Sequence, residues 1–163
     1  MTDLIITGGQ VVTPNGVGEW DVVIEGEKIV AVCLPGTINP ENAKVIDAQG
    51  KIVVPGGIEP HAHIGGPRQP ERSGANPVSL AAIWGGTTTV LDFANQVPGH
   101  DLYHAIDEAR DRWHGNAYTD YSYHPIFTRD TGDLAISQIS DLVKDGFASF
   151  KIFTTSIRPP SPQ

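Results

Sequence analysis

The sequence predicts an α/β fold, namely the N-terminal part of a (βα)8 TIM-like barrel preceded by a small antiparallel β-sandwich module. Up to residue 54, short apolar runs alternate with turn residues and show no helical periodicity. From residue 55 onward, strand-like runs alternate with helix-like runs across short loops, which favours a parallel sheet with right-handed crossovers. The predicted domains are therefore residues 1–54 and 55–163.

The β-rich module is predicted from runs of β-branched residues bounded by turn dipeptides such as Asn15-Gly16 and Pro35-Gly36. We expect hairpins and tight turns between neighbouring runs. The predicted strands are Leu4–Thr7, Gln10–Thr13, Trp20–Glu25, Lys28–Cys33, Ala43–Asp47 and Lys51–Val54.

The second domain is predicted to contain four strands and three helices. Asn76 with Pro77 is a typical helix start, and Asp101 is a second candidate N-cap. After the strand that follows Pro55, the predicted elements are helix Val78–Trp84, strand Thr87–Ala94, a helix capped by Asp101 and closed by Gly115, strand Ala117–Phe127, a helix from about Asp133, and strand Phe147–Phe153. This is half of an eight-stranded α/β barrel, a fold that normally takes about 250 residues, so we expect the remainder to be absent from this chain.

Composition restricts the partners and the compartment. The chain of 163 residues carries a formal charge of −8 and has no Lys/Arg cluster, so nucleic acid is not an expected partner. Cys33 is the single cysteine, which fits a reducing cytosol. The N-terminus shows no signal-peptide pattern, and no apolar run approaches the roughly 20 residues that span a bilayer. We therefore expect a cytoplasmic protein with no membrane contact.

The segment Lys51–His63 ends in the pattern His61-Ala62-His63. Alternate residues of an extended chain share a face, so the two imidazoles are expected side by side. Two neutral imidazoles can supply half of a divalent metal site. A polar strand end without metal is an equally good interpretation of this pattern alone.

Lys151 is the second informative residue because it shares a face of its predicted strand with Ser149 and Phe153, opposite an apolar face. Burial lowers the pKa of a lysine, and the neutral amine can react with carbon dioxide to form a carbamate that bridges two metal ions. The alternative is a lysine that extends to solvent at a strand end. The residues alone favour the second interpretation.

Four separate runs, PGGIEPHAHI, GGTTTVLDFA, DYSYH and GFASFKIF, together resemble the dihydropyrimidinases and hydantoinases, the cyclic-amide hydrolases of the amidohydrolase superfamily. The resemblance covers essentially the whole chain. It implies that His61, His63 and Lys151 are metal ligands of a centre with two divalent ions, usually zinc. His61 and His63 would hold one ion, and the carboxylated Lys151 would bridge to the second.

The resemblance also implies a reaction, in which a metal-bridging hydroxide attacks the ring carbonyl and an aspartate moves the proton to the leaving nitrogen. That aspartate and two further histidine ligands lie in later strands of the family, beyond residue 163. We therefore expect no catalytic acid or base in this chain, and an inactive fragment. A homo-oligomer (dimer or tetramer) or a complementing C-terminal chain is the expected assembly.

Some residues depart from the family pattern or lie outside its motifs. Ser156 occupies the position of a tyrosine that contacts the substrate carbonyl, so it is the candidate substrate-binding residue, and the cyclic amide itself stays open. Asp92 and His124 are predicted on inward faces of their strands as structural polar groups. The remaining histidines, His100, His104 and His114, are interpreted as surface residues.

Two other functions remain open from the sequence. One is an allantoinase, a dihydroorotase or a ring deaminase of the same superfamily, although Lys151 disfavours the mononuclear deaminases. The other is a non-catalytic relative that acts in assembly, against which the presence of His61, His63 and Lys151 argues.

Overall fold

A computed structural model describes residues 2–66, 72–97, 99–127 and 132–154. The chain divides into two compact units, Met1–Pro55 and Gly56–Gln163, which are described one after the other.

The first unit contains two small sheets. Its strands are β1 (Leu4–Thr7), β2 (Gln10–Thr13), β3 (Gly16–Glu19), β4 (Asp21–Glu25), β5 (Lys28–Cys33), β6 (Lys44–Asp47) and β7 (Ile52–Val53). One sheet has the order β5-β4-β1-β6 and the other has the order β3-β2-β7. Buried residues such as Ile5, Val11 and Val23 lie on the covered faces of these strands.

The prediction of a purely antiparallel module was wrong for two strand pairs. β1 pairs with β6 in parallel, and β2 pairs with β7 in parallel. Turn dipeptides predict antiparallel neighbours joined by hairpins, whereas parallel pairs need long connections that leave no local signal. The β1–β4, β2–β3 and β4–β5 pairs are antiparallel.

Strand β3 was not predicted because two of its four residues are glycine. The structure gives a reason for one of them. A Cβ atom on Gly18 would lie 2.7 Å from the indole ring of Trp20, so any side chain at this position would require that ring to move.

The second unit alternates strands and helices. Its elements are β8 (Gly57–Glu59), α1 (Ala75–Trp84), β9 (Thr87–Asn95), α2 (Leu102–Trp113), β10 (Asp120–Phe127), α3 (Asp133–Ser137), α4 (Ile139–Lys144) and β11 (Lys151–Ile152). The four strands form one sheet in the order β11-β10-β9-β8, and each neighbouring pair is parallel. The α/β class and the parallel sheet are therefore confirmed.

Helix α2 supplies much of the core of this unit. Its apolar face is fully buried against β9 and β10 and consists of Leu102, Ala105, Ile106, Ala109 and Trp113. Asp101 is the N-cap, as predicted, and its side chain accepts a hydrogen bond from the His104 backbone N–H at 2.9 Å.

Three details of the prediction differ from the structure. Helix α1 begins at Ala75 with Gly74 as its N-cap, so Asn76 does not cap it, and Pro77 lies within the first turn, where its missing N–H costs nothing. The third helix is interrupted at Gln138 into α3 and α4. The fourth strand is limited to Lys151–Ile152. Among the described residues, no helix has the length and apolar character needed to cross a membrane.

Candidate metal centre

One face of the parallel sheet, here called the site face, carries the predicted ligands. Successive side chains of a strand point to opposite faces. On β9, Asp92 points toward helix α2, because it contacts Arg112 and Trp113, and Phe93 therefore points to the site face. On that face, the Phe93 ring contacts the side chains of His61, His63, His124 and Lys151.

His61 and His63 follow β8 at the carboxyl end of that strand, where α/β sheets place their sites. Their ring centroids lie 5.3 Å apart in an edge-to-face arrangement, and both rings contact Phe93. The chain stays in strand-like register here, because the Ala62 N–H donates to the Leu91 carbonyl at 3.0 Å. The expected side-by-side arrangement of the two imidazoles is present.

Lys151 approaches the same ring from β11. Its Nζ lies 4.1 Å from the Phe93 ring centroid and 3.2 Å from His63 Nε2. An extended, snorkelling lysine, which the residue pattern favoured, does not describe this geometry. The structure thus brings His61, His63 and Lys151 together from the two outer strands of the sheet.

The electrostatic environment keeps His63 in the form that binds metals. Partial burial lowers the pKa of His63 below its ordinary value, and the neighbouring positive charge of Lys151 lowers it further. The imidazole of His63 is therefore neutral at pH 7, and a neutral imidazole nitrogen is a metal ligand.

The segment that follows His63 lies close to the segment of Arg72 and Ser73. The Gly65 N–H donates to the Ser73 carbonyl at 2.8 Å. A Cβ atom on Gly65 would collide with the carbonyl oxygen of Arg72, so the close approach of these two segments requires glycine. This close approach brings the charge of Arg72 near enough to contribute to the lowered pKa of His63.

The donor set fits part of a zinc or other transition-metal site. Two imidazoles and one lysine converge, and a carboxylated lysine would add two oxygen donors. Within the described ranges, no three His, Cys, Asp or Glu side chains are arranged to hold a metal ion. His61 and His63 alone would therefore not complete the coordination of a metal ion. Lys151 and further donors would be needed as well.

His124 lies on β10, directly opposite Phe93 in the strand register. Its Nε2 lies 2.9 Å from the Pro60 carbonyl oxygen, and its Nδ1 lies 2.6 Å from Ser149 Oγ. The predicted inward orientation of His124 is thus found, and the side chain contacts residues adjacent to two of the candidate ligands.

Asp92 was predicted on the inward face, and this prediction was wrong. Its carboxylate is 1% exposed and lies on the helix side of the sheet. Oδ2 accepts hydrogen bonds from Arg112 Nη2 at 3.1 Å and Trp113 Nε1 at 3.0 Å, and Oδ1 accepts from the Ile64 N–H at 3.2 Å. The inward residue is Phe93, which the alternation of the run TTTVLDFA could have identified.

The other candidates lie apart from this cluster or outside the described residues. His100 and His104 stack on each other at the start of α2 with centroids 4.1 Å apart, and His114 follows the end of that helix. Ser156 lies outside the described residues, so its predicted role in substrate binding stays a prediction.

Sequence comparison with curated proteins identifies relatives of one kind. The chain is 36% identical over 156 residues to a D-hydantoinase of Streptomyces coelicolor, covering 91% of this chain and 33% of that protein. It is 33% identical over 156 residues to a dihydropyrimidinase of Rattus norvegicus, covering 92% of this chain and 30% of that protein. No family profile matches the chain.

Comparison with solved structures also identifies D-hydantoinases. A D-hydantoinase from Bacillus sp. AR9 superimposes with a TM-score of 0.84 at 32% identity, covering 96% of this chain and 34% of that chain. A second D-hydantoinase structure superimposes with a TM-score of 0.81 at 34% identity, covering 95% of this chain and 34% of that chain. The chain thus spans about a third of the length of the proteins it matches.

Proposed function

Because the chain belongs to the family of D-hydantoinases and dihydropyrimidinases, we propose that it forms the metal-binding part of a hydrolase that opens cyclic amides or imides. The rest of the (βα)8 barrel, with the catalytic aspartate, would come from sequence outside these 163 residues. We further propose that the first unit is part of a β-sandwich.

The observation that carries this proposal is the convergence of His61, His63 and Lys151 around Phe93. His63 and Lys151 are 88 positions apart in the sequence. In the folded sheet, Lys151 Nζ lies 3.2 Å from His63 Nε2. Two imidazoles and a lysine that can be carboxylated would supply part of the donor set of a carbamate-bridged metal pair.

We propose about two divalent ions per barrel, with zinc as the best match for imidazole and carboxylate-type donors. When bound, such ions polarise a carbonyl oxygen and lower the pKa of water. The residues of this chain contribute by orientation. His61 and His63 present ring nitrogens from one segment, and Lys151, in its carboxylated form, would place an anionic group opposite them.

The experiment that tests this function removes the lysine and then supplies a substitute. The protein tested contains the complete proposed barrel. In it, we expect Lys151→Ala to lose metal and ring-opening activity, and we expect acetate or propionate to restore part of both. Such rescue requires that the lost group is a bridging carboxylate. Lys144→Ala is the matched control, because Lys144 is exposed on α4 and forms a salt bridge with Asp141 of the same helix.

An unchanged metal content in Lys151→Ala, with Lys144→Ala also unchanged, would show that Lys151 is not a ligand and would contradict the proposal. Loss of metal without any rescue by a carboxylic acid would contradict the carbamate in particular.

The proposed substrate preference follows from the residue at position 156. A serine at 156 is shorter than a tyrosine and leaves one donor to the substrate carbonyl missing. Loss of one such donor costs roughly 100- to 1000-fold in turnover. We therefore propose that a cyclic amide or imide other than dihydrouracil or a simple hydantoin is preferred. Turnover of dihydrouracil at the rate of its preferred substrate would contradict this assignment.

The proposed setting is a cytoplasmic homo-oligomer (dimer or tetramer) or a complex with a complementing chain. Within the described part of the chain, β8 pairs on one side only, with β9, and Ile58 is 65% exposed. A strand edge of this kind favours pairing with further chain. The single cysteine, Cys33, supports a reducing compartment.

A further inference from the structure

We propose that His124 is a positioning residue that fixes the backbone carrying His61 relative to the strand carrying Lys151. The proposal rests on the proposed function, since it concerns the same candidate metal centre. His124 would not bind metal itself. It would act through two hydrogen bonds that join the outer strands of the sheet across the site face.

The first hydrogen bond determines the tautomer of His124. A carbonyl oxygen only accepts hydrogen bonds, so the contact of 2.9 Å with the Pro60 carbonyl requires a proton on Nε2. In the neutral ring, Nδ1 is then an acceptor, and the Ser149 hydroxyl donates to it at 2.6 Å. Both ring nitrogens are thus used, in opposite directions.

The Pro60 carbonyl belongs to the peptide group that also contains the backbone nitrogen of His61. The N–H of this peptide donates to Glu59 Oε1 at 2.9 Å. One peptide plane is therefore held at its oxygen by His124 and at its nitrogen by Glu59. Rotation of this plane would change the φ angle of His61 and with it the direction of the His61 side chain, so its restraint would help to fix the position of the His61 imidazole.

The second hydrogen bond reaches the other outer strand. Ser149 lies two residues before Lys151, and both side chains contact the site face, Ser149 at His124 and Lys151 at Phe93. His124 itself lies on β10, and its ring contacts Phe93 on β9 with a centroid distance of 5.2 Å. One imidazole therefore connects the segment of His61 with the segment of Lys151 across the intervening strands.

A role in stability alone does not explain this arrangement. Each of these hydrogen bonds would add only about 0.5–1.5 kcal/mol to the free energy of unfolding. Groups that orient metal ligands, by contrast, typically change metal affinity by 10- to 100-fold when they are removed. A structural role and a positioning role of His124 therefore predict different results. They can be separated by variants that keep a nitrogen at the position of either Nδ1 or Nε2.

The experiment compares His124→Gln with His124→Asn in a purified protein that contains the complete proposed barrel. The amide nitrogen of glutamine can occupy the position of Nε2 and donate to the Pro60 carbonyl, whereas asparagine reaches only the position of Nδ1. His104→Gln is the matched control, because His104 lies on the surface of α2 away from the site. Three quantities are measured: zinc affinity by chelator-buffered titration, thermal stability, and hydrogen exchange of the Ala62 amide without metal.

We expect His124→Asn to weaken zinc binding by about 10-fold or more and to accelerate exchange at Ala62 relative to the central-strand amide of Val90. We expect His124→Gln and His104→Gln to stay within about 3-fold of the wild type in affinity. Equal effects of His124→Asn and His124→Gln that follow thermal stability would overturn the proposal.

The exchange measurement separates this inference from the proposed function. A wild-type protein that binds no zinc would contradict the proposed function, while faster exchange at Ala62 in His124→Asn alone would still support positioning by His124. A protein that binds zinc through His61 and His63, with no change in either variant, would overturn the role of His124 and leave the proposed function intact.

Discussion

The two faces of the parallel sheet hold their polar groups in different environments. On the helix side, Asp92 is buried and receives hydrogen bonds from Arg112, Trp113 and the backbone. On the site face, His61 and His63 are exposed and are held mainly by ring contacts with Phe93.

The difference shows which polar groups stabilise the fold and which are available for chemistry. A buried carboxylate surrounded by donors is satisfied and has little capacity for another partner. Exposed imidazoles have ring nitrogens that, in their neutral form, can bind a ligand. We therefore expect substitutions on the helix side to change stability, and substitutions on the site face to change metal binding.

The largest expected effect is that of Asp92→Ala. Removal of the carboxylate leaves Arg112 beside the core without its ion-pair partner and Trp113 without its acceptor. Breaking a buried pair in this way costs about 3–5 kcal/mol. Chemical denaturation of the variant would measure the loss. Asp92→Asn, which keeps one carbonyl acceptor, should lose less, and equal stability of the wild type and Asp92→Ala would contradict this account of the helix side.

Much of the helix side could be predicted from sequence. The periodic apolar residues of α2 and the N-cap at Asp101 are local signals, and the structure has both. The interaction of Asp92 with α2 had no such signal, because it depends on Arg112 lying across the sheet–helix interface. The parallel pairs of the first unit were missed for the same reason, since their partners are distant in sequence.

On the site face, alternation correctly predicted that His61 and His63 share a face, because it requires only an extended backbone. The residues alone did not favour the actual position of Lys151, whose environment depends on Phe93 from another strand. The hydrogen bonds of His124 with Pro60 and Ser149 likewise join three segments that only the folded sheet brings together.

An intermediate effect on stability is expected at the cap of α2. Hydrogen bonds from the His104 backbone N–H and from Gln138 lower the pKa of Asp101. Because the pKa is lower in the folded state, the carboxylate stabilises the fold at pH values above its unfolded pKa of about 3.9. This contribution is lost as the pH falls through the folded pKa.

Asp101→Ala should therefore cost about 1 kcal/mol at pH 7, and the difference from the wild type should become smaller below about pH 4. Urea denaturation at a series of pH values would measure this dependence. A difference that stays constant down to pH 2 would show that the charge of Asp101 does not contribute.

The smallest effect on stability is expected from Lys151→Met, although this residue is central to the candidate site. Methionine keeps an apolar chain over Phe93 and removes only the amine. We expect the free energy of unfolding of the metal-free protein to change by less than about 0.5 kcal/mol. A loss comparable with that of Asp92→Ala would mean that the site face, like the helix side, serves mainly the fold.

The metal content of the purified protein tests the central claim most directly. After growth in zinc-supplemented medium, elemental analysis of a protein that contains the complete proposed barrel should find about two divalent ions per barrel. The double variant His61→Ala/His63→Ala should lose them while it keeps its thermal stability without metal. Fewer than one ion per chain in the wild type, or an equal metal content in the double variant, would contradict the assignment of the site face as a metal centre.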